Sequence, residues 1–411
     1  MKFVLHPLSK LFFIYAIVLS ALSVSAQTVK NNKIVMGVID SVNSKILKET
    51  RKIWVYVPAS AAESIYAPKK YPVIYLLDGD AHFASVAGMV QQLSGTVCPE
   101  MIVVAIPNTD RLRDLTPNHI GPLKNSGGGK DFISFIELEL MPYINLNYPA
   151  ASYKMLIGHS LGGLLVINTL AGQPGLFNSY VAIDPSMWFD RGIALSYARK
   201  SFAKENLTSK SLYMGIANTL PEDMDTTLAR KDTSAATGHI RAILNLKDIF
   251  QKEAINNKLK FAYHYYANDS HGSIPFITEY DALRFIFRDY AIPQSLTKTF
   301  FDKNIPSGPI IAKVEAHYNE ISKNMGYKFS PPEDVMNDFG LNLISANPKL
   351  AYTFLQYNIN AYPNSYNVYD SMGDYYNAVH DKSKAIELYQ KALSLKEFSD
   401  TRTKLNKLIN K

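Results

Sequence analysis

Tyr153-Lys154-Met155-Leu156-Ile157-Gly158-His159-Ser160-Leu161-Gly162-Gly163-Leu164-Leu165 is the stretch whose reading decides the fold. An apolar run, Met155 to Ile157, meets a glycine-rich turn, and the turn gives way to an apolar stretch of helical length. The turn reads G-x-S-x-G between a strand and a helix, the setting in which a serine is lifted onto a sharp elbow. A serine there sits in strained backbone, and side chains at Gly158 and Gly162 would collide with neighbouring elements. The elbow exposes the hydroxyl of Ser160 and aims the first helical N–H groups at the same point, where they can stabilise an oxyanion. The plainer alternative is a glycine-flanked surface turn with an inert serine. The alignment of strand, motif and helix weighs against it.

Upstream, residues 34–42 and 51–57 are rich in β-branched side chains and nearly alternating, which predicts an antiparallel hairpin turning around Asn43-Ser44. Residues 71–77 form a continuous apolar run, the mark of a buried parallel strand, ending at Asp78-Gly79-Asp80 ahead of a helix over 83–93. A second buried strand spans 101–106 and a polar loop 108–125, and a helix over 130–143 leads into the elbow strand. Downstream, strands at 180–183, 211–217 and 259–266 alternate with helices around 192–204, 236–256 and 277–290. That alternation predicts an α/β fold, a mostly parallel sheet with helices on both faces. A serine elbow after a central strand and a histidine after the last one is the chain order of an α/β-hydrolase.

Past Pro293 strand-like runs disappear. Tyr369, Met372, Gly373, Tyr376, Ala385, Tyr389 and Ala392 fall at the spacing of the tetratricopeptide consensus, with Tyr369 in place of tryptophan. Ala351, Leu355 and Pro363 sit at matching offsets one repeat earlier. The expectation is a hydrolase domain over 27–295 and a small all-α tetratricopeptide-like domain over 296–411, a plain helical bundle being the alternative. Two such repeats are too few to stand alone, so they should pack on the hydrolase domain.

At 411 residues, 47% hydrophobic and 19% charged, the chain has the composition of an ordinary globular protein with a sizeable core. Residues 1–26 read as an export signal: Lys2 and Lys10 are basic, 11–22 is apolar, and Val24-Ser25-Ala26 is a small-residue cleavage site before Gln27. A retained anchor is the alternative, although the apolar run is short for the roughly 20 residues of a membrane span. A periplasmic or secreted location follows. Losing Lys2 and Lys10 lowers the net charge from +7 to +5, and no dense basic block stands out, so nucleic acid is a poor partner. One cysteine, Cys98, excludes an intramolecular disulfide framework.

A serine nucleophile needs a base, and the base needs an orienting group. His271, in Asn268-Asp269-Ser270-His271-Gly272-Ser273 just beyond the last strand, is the candidate base; His82, His119, His159 and His264 are the weaker ones. The acid is expected in the loop after 211–217, where Glu222 and Asp223 follow a proline and Asp225 is favoured. Asp184 and Asp269 are rivals, and a serine–histidine dyad with no acid is an alternative. The oxyanion hole pairs the N–H of Leu161 with one from the Gly79-Asp80 loop. Gly127-Gly128-Gly129-Lys130 fails as a phosphate loop because Asp131 follows the lysine. No His/Cys cluster has metal-ligand spacing, so neither metal nor cofactor is expected.

Tyr75-Leu76-Leu77-Asp78-Gly79, Arg113-Asp114-Leu115-Thr116-Pro117, Gly158-His159-Ser160-Leu161-Gly162-Gly163, Asp184-Pro185-Ser186-Met187-Trp188 and His271-Gly272-Ser273 together resemble the putative esterase (esterase D-like) family. That family includes enterochelin-type siderophore esterases and is related to feruloyl and acetyl esterases. The resemblance implies Ser160 as nucleophile, His271 as base, Leu161 and the Gly79 region as oxyanion hole, and Trp188 and Arg113 near the substrate pocket. The acid does not carry over, because the loop after Ala217 is longer than in many relatives. The resulting expectation is an exported serine esterase acting on a siderophore lactone, a feruloyl or acetyl ester, or an aryl ester. The alternatives are an acyltransferase, or a vestigial hydrolase domain whose repeat tail recruits a protein partner.

Overall fold

The computed structural model describes residues 34–62, 65–203 and 205–410, so the export signal read at 1–26 and its cleavage point lie outside the described residues. Residues 34–36 carry no regular secondary structure, and the described residues from Gly37 onward form one compact unit.

Among the described residues, eight strands, β1 (Val38–Ser44), β2 (Glu49–Tyr56), β3 (Tyr71–Leu77), β4 (Ile102–Ile106), β5 (Ala150–His159), β6 (Ser179–Ile183), β7 (Ser211–Ala217) and β8 (Lys260–Tyr266), form one sheet. Their order is β1-β2-β4-β3-β5-β6-β7-β8. β2 runs antiparallel to both β1 and β4, and β4, β3, β5, β6, β7 and β8 are mutually parallel. The parallel strands β3, β4, β6 and β7 are buried at every position, which is why they read as unbroken apolar runs. Between them run α1 (Gly79–Leu93), the short α2 (Arg111–Leu115), and α3 (Gly129–Phe135), which continues through a π turn into α4 (Met141–Asn147). α5 (Leu161–Gly172), α6 (Phe189–Phe202), α7 (Thr226–Lys231), α8 (Gly238–Asn257) and α9 (Ile274–Ile286) follow. The expected α/β architecture is present, with apolar cores on both faces of the sheet.

Strand order places the site. After β3 the chain adds β4 on one side, then returns to lay β5 on the other. The C-terminal ends of β3 and β5 therefore sit side by side where the order reverses, the crevice in which open α/β sheets bind ligands.

Three local expectations shift. The hairpin turns at residues 45–48 rather than around Asn43-Ser44, because Asn43 and Ser44 still pair with Thr50 and Glu49. The helix expected from 83 begins at Gly79, immediately after β3. The loop over 108–125 contains α2, whose start is capped by Asp110 accepting from the Arg113 N–H.

Beyond β8 and α9 the chain is helical: α10 (Gln294–Thr297), α11 (Ser307–Met325), α12 (Glu333–Leu343), α13 (Pro348–Ala361), α14 (Tyr366–Ala378), α15 (Lys382–Leu395) and α16 (Ser399–Ile409). Small residues mark the closest helix approaches: a side chain at Gly340 would meet Leu355, and one at Gly373 the ring of Tyr389. These helices share a core with the sheet, since Phe300, Val314, Met336 and Phe354 belong to the cluster that holds Ile74, Met155 and Val181. Among the described residues no helix is long and apolar enough to cross a membrane.

Candidate active site

Ser160 joins β5 to α5 at φ +58°, ψ −114°, a conformation that costs on the order of 1–3 kcal/mol for a residue with a side chain. Neighbouring backbone holds it there. Its N–H donates to the Ile183 carbonyl at 2.9 Å, and its own carbonyl accepts from the N–H groups of Ser186 at 2.9 Å and Leu164 at 3.0 Å. Gly158 is required because a Cβ there would lie 2.5 Å from the Gly162 backbone. Gly162 itself is less crowded than expected, and the tighter approach is at Gly163, 3.0 Å from Pro185.

The chain beyond β6 supplies a buried carboxylate that faces His271. Asp184, at φ +41°, is fully buried, and its Oδ2 lies 2.6 Å from Nδ1 of His271. The same oxygen takes Nε2 of His239 at 2.8 Å, while Oδ1 accepts the Ala217 N–H at 3.0 Å. Burial pushes the Asp184 carboxyl up, but the bonds from His239, His271 and Ala217 outweigh it and hold the group well below the usual carboxylate range. Asp184, His239 and His271 also offer three ligand atoms within 4.8 Å of one another. A divalent ion there would displace the hydrogen bonds that orient His271.

The carboxylate facing His271 is thus Asp184, not Asp225. Asp225 is exposed and caps α7, its Oδ1 accepting the Leu228 N–H at 2.7 Å. Glu222 and Asp223 lie on the same exposed loop, and Asp269 accepts from Ser273 Oγ at 3.0 Å. Ser160 Oγ shares a hydrogen bond with Ser186 Oγ at 3.1 Å, not with His271.

Leu161 opens α5 and Gly79 opens α1, so both present N–H groups without an i−4 partner at the crevice. Gly79 is glycine for packing rather than for substrate approach: a Cβ would lie 2.6 Å from the Ile106 N–H nitrogen. Asp80 is exposed, its Oδ1 3.4 Å from the Asn108 N–H nitrogen. Trp188 is half exposed on the loop that carries Asp184 and Ser186. Arg113 is committed elsewhere, to Glu49 at 2.8 Å and Asp114 at 2.6 Å. Arg111 is the arginine at the elbow: it donates to Asp78 at 2.6 and 3.0 Å and to the His159 carbonyl at 3.2 Å.

Sequence reasoning missed Ser186, Arg111 and His239. Ser186 lay inside a quoted motif, whereas nothing marks His239 within its helix. The ring of His159 lies against that of His271, with centroids 4.5 Å apart and planes tilted by 41°. Burial, then the nearby His271 and His82, push His159 down to about 4, so it stays neutral beside His271.

Residues 44–268, more than half of the chain, match the family described as Putative esterase. Siderophore triacetylfusarinine C esterase of Aspergillus fumigatus is 31% identical over 151 residues, 34% of this chain and 51% of that protein. The chain therefore spans about half the length of that relative. Siderophore enterobactin esterase of Emericella nidulans is 26% identical over 243 residues, 50% of this chain and 78% of that protein. Among solved structures, an IroE-like serine hydrolase from Shewanella oneidensis superposes with a TM-score of 0.64 at 29% identity, covering 78% of this chain and 99% of that one.

Proposed function

The chain belongs to the putative esterase family of carboxylic ester hydrolases, and from that premise we propose that it is an exported serine esterase whose substrate is a siderophore ester. The observation that carries this reading is the strained Ser160 elbow beside a histidine held on a buried carboxylate. In the mechanism, Ser160 Oγ attacks the ester carbonyl while Nε2 of His271 takes its proton. Asp184 keeps the other nitrogen protonated and the ring oriented. The tetrahedral oxyanion forms against the N–H of Leu161 and an N–H of the Gly79-Asp80 loop. Collapse expels the alcohol, which leaves with the proton from His271, and an acyl-Ser160 ester remains. Water, deprotonated by His271, then attacks that ester and releases the acid.

The siderophore substrate is supported by the names of the two relatives, both siderophore esterases. Export is supported by the basic, apolar and small-residue order of 1–26. The spacing of Gly373, Ala385, Tyr389 and Ala392 supports a tetratricopeptide-like tail.

The test is hydrolysis of p-nitrophenyl acetate and of a trilactone siderophore by the wild type and by Ser160→Ala. The variant should keep its fold and lose on the order of 10⁴-fold in kcat on both substrates. Near-normal turnover by folded Ser160→Ala removes the serine mechanism. Turnover of the aryl ester alone removes the siderophore assignment.

A further inference from the structure

Two histidines share one oxygen of Asp184, and only His271 has a part in the reaction above. Oδ2 accepts from His271 at 2.6 Å and from His239 at 2.8 Å, and Oδ1 from the Ala217 N–H. An ionised carboxylate oxygen has two lone pairs, so both on Oδ2 are used.

His239 is held firmly enough to act on this carboxylate. It is the second residue of α8, and the start of that helix is stapled. Asp232 accepts from Ser234 Oγ at 2.5 Å and from Thr237 Oγ1 at 2.7 Å. Arg241 donates to the Asp232 carbonyl and to Thr237 Oγ1.

We propose that His239 is a positioning residue for the base: its N–H fixes the plane of the Asp184 carboxylate and takes up part of the negative charge that would otherwise act on His271 alone. The proposal rests on the reading of Ser160, His271 and Asp184 as a triad. The charged and titratable groups around His271 are Asp184 beyond β6, His239 from α8 and His159 from the elbow, with His82 and the Asp78–Arg111 pair behind His159.

Removing the His239 donor has two consequences. Asp184 then keeps only the Ala217 N–H beside His271, so the plane of its carboxylate is held less firmly, the imidazole is less well oriented and kcat falls. Oδ2 is also left to His271 alone, which strengthens its bond to the protonated imidazole. Because the base works only when neutral, the acid limb of kcat/KM then moves to higher pH.

The experiment compares wild type, His239→Ala, His239→Met and His239→Gln on p-nitrophenyl acetate, together with an NMR titration of the His271 ring nitrogens, which needs no substrate. Met keeps the bulk without a donor, and Gln places an amide N–H at the same reach. In the Ala or Met variant kcat should drop roughly tenfold, the scale of one hydrogen bond to a charged group, with KM nearly unchanged. The His271 titration should move up in pH, and Gln should restore both. A folded donor-less variant whose His271 titration stays in place overturns the proposal, whatever its activity. Loss of the triad reading shows separately, as esterase activity that survives Ser160→Ala.

Discussion

At the residue scale the choice of acid separates what the sequence carries from what it does not. Ser160 is legible because its glycines and its strand and helix are neighbours in the chain, and His271 because it follows the last strand. The carboxylate that faces His271 reaches it across the sheet. The ends of β6 and β7 are adjacent, so a carboxylate on either loop could face His271, and spacing alone does not discriminate. Geometry selects Asp184, while the end of β7 contributes the Ala217 N–H to the same carboxylate. Asp184→Asn should therefore lose about 10³–10⁴-fold in kcat by favouring the wrong imidazole tautomer. Asp225→Ala should instead remove a helix cap, lowering stability by about 1 kcal/mol and leaving kcat near wild type. Steady-state kinetics and thermal melts of both variants check the pair of expectations, and a collapse of kcat in Asp225→Ala would reverse the assignment.

At the element scale, α9 packs its buried face against α1, and one of the groups between them is a carboxyl. Glu279 is 1% exposed, with His82 Nδ1 at 3.4 Å and Ser85 Oγ at 3.4 Å. Burial pushes its carboxyl up to about 8, slightly offset by Ser85. Burial also lowers His82, against the pull of Asp78 and Asp80, so the contact joins two neutral groups rather than an ion pair. The sign of the pH effect follows from linkage. Between the ordinary carboxyl value of 4.5 and about 8, the folded chain keeps a proton that the unfolded chain has released. Stability is fully present below that window and falls as pH rises through it, by about 1.4 kcal/mol per pH unit. In thermal melts the wild type should lose stability between about pH 5 and about pH 8 relative to Glu279→Gln. Parallel melting curves across that window would contradict the buried neutral carboxyl. Nothing in the sequence marks Glu279, since its burial is a product of the α1–α9 contact. The hairpin turn was misread for a similar reason. Asn43 and Ser44 look like turn residues, but Thr50 Oγ1 donates to Asn43 Oδ1 across the strands at 2.7 Å and keeps them paired.

At the scale of the whole molecule, the alternation of strands and helices was legible because a parallel sheet buried on both faces writes continuous apolar runs. How the helical tail sits was not, because its contacts with the sheet are aromatic and long-range. Within the tail, Phe300 meets Phe339 and Phe354 at 5.0 and 5.1 Å between ring centroids, and these rings join the core that lies under the sheet. Tyr153 of β5 meets Tyr327 at 6.0 Å and Phe329 at 6.2 Å. Glu333 accepts the Ala67 N–H at 2.7 Å, a further tie across 266 residues of chain. The strand that leads into Ser160 is therefore buttressed by the tail at one end and opens onto the crevice at the other. The most direct test of this account is covalent capture. The purified chain is titrated with a fluorophosphonate and the adduct mapped by peptide mass spectrometry. The account predicts one equivalent of label, carried by Ser160 and absent from Ser160→Ala. An unlabelled wild type, or a label on another residue that persists in Ser160→Ala, would contradict it.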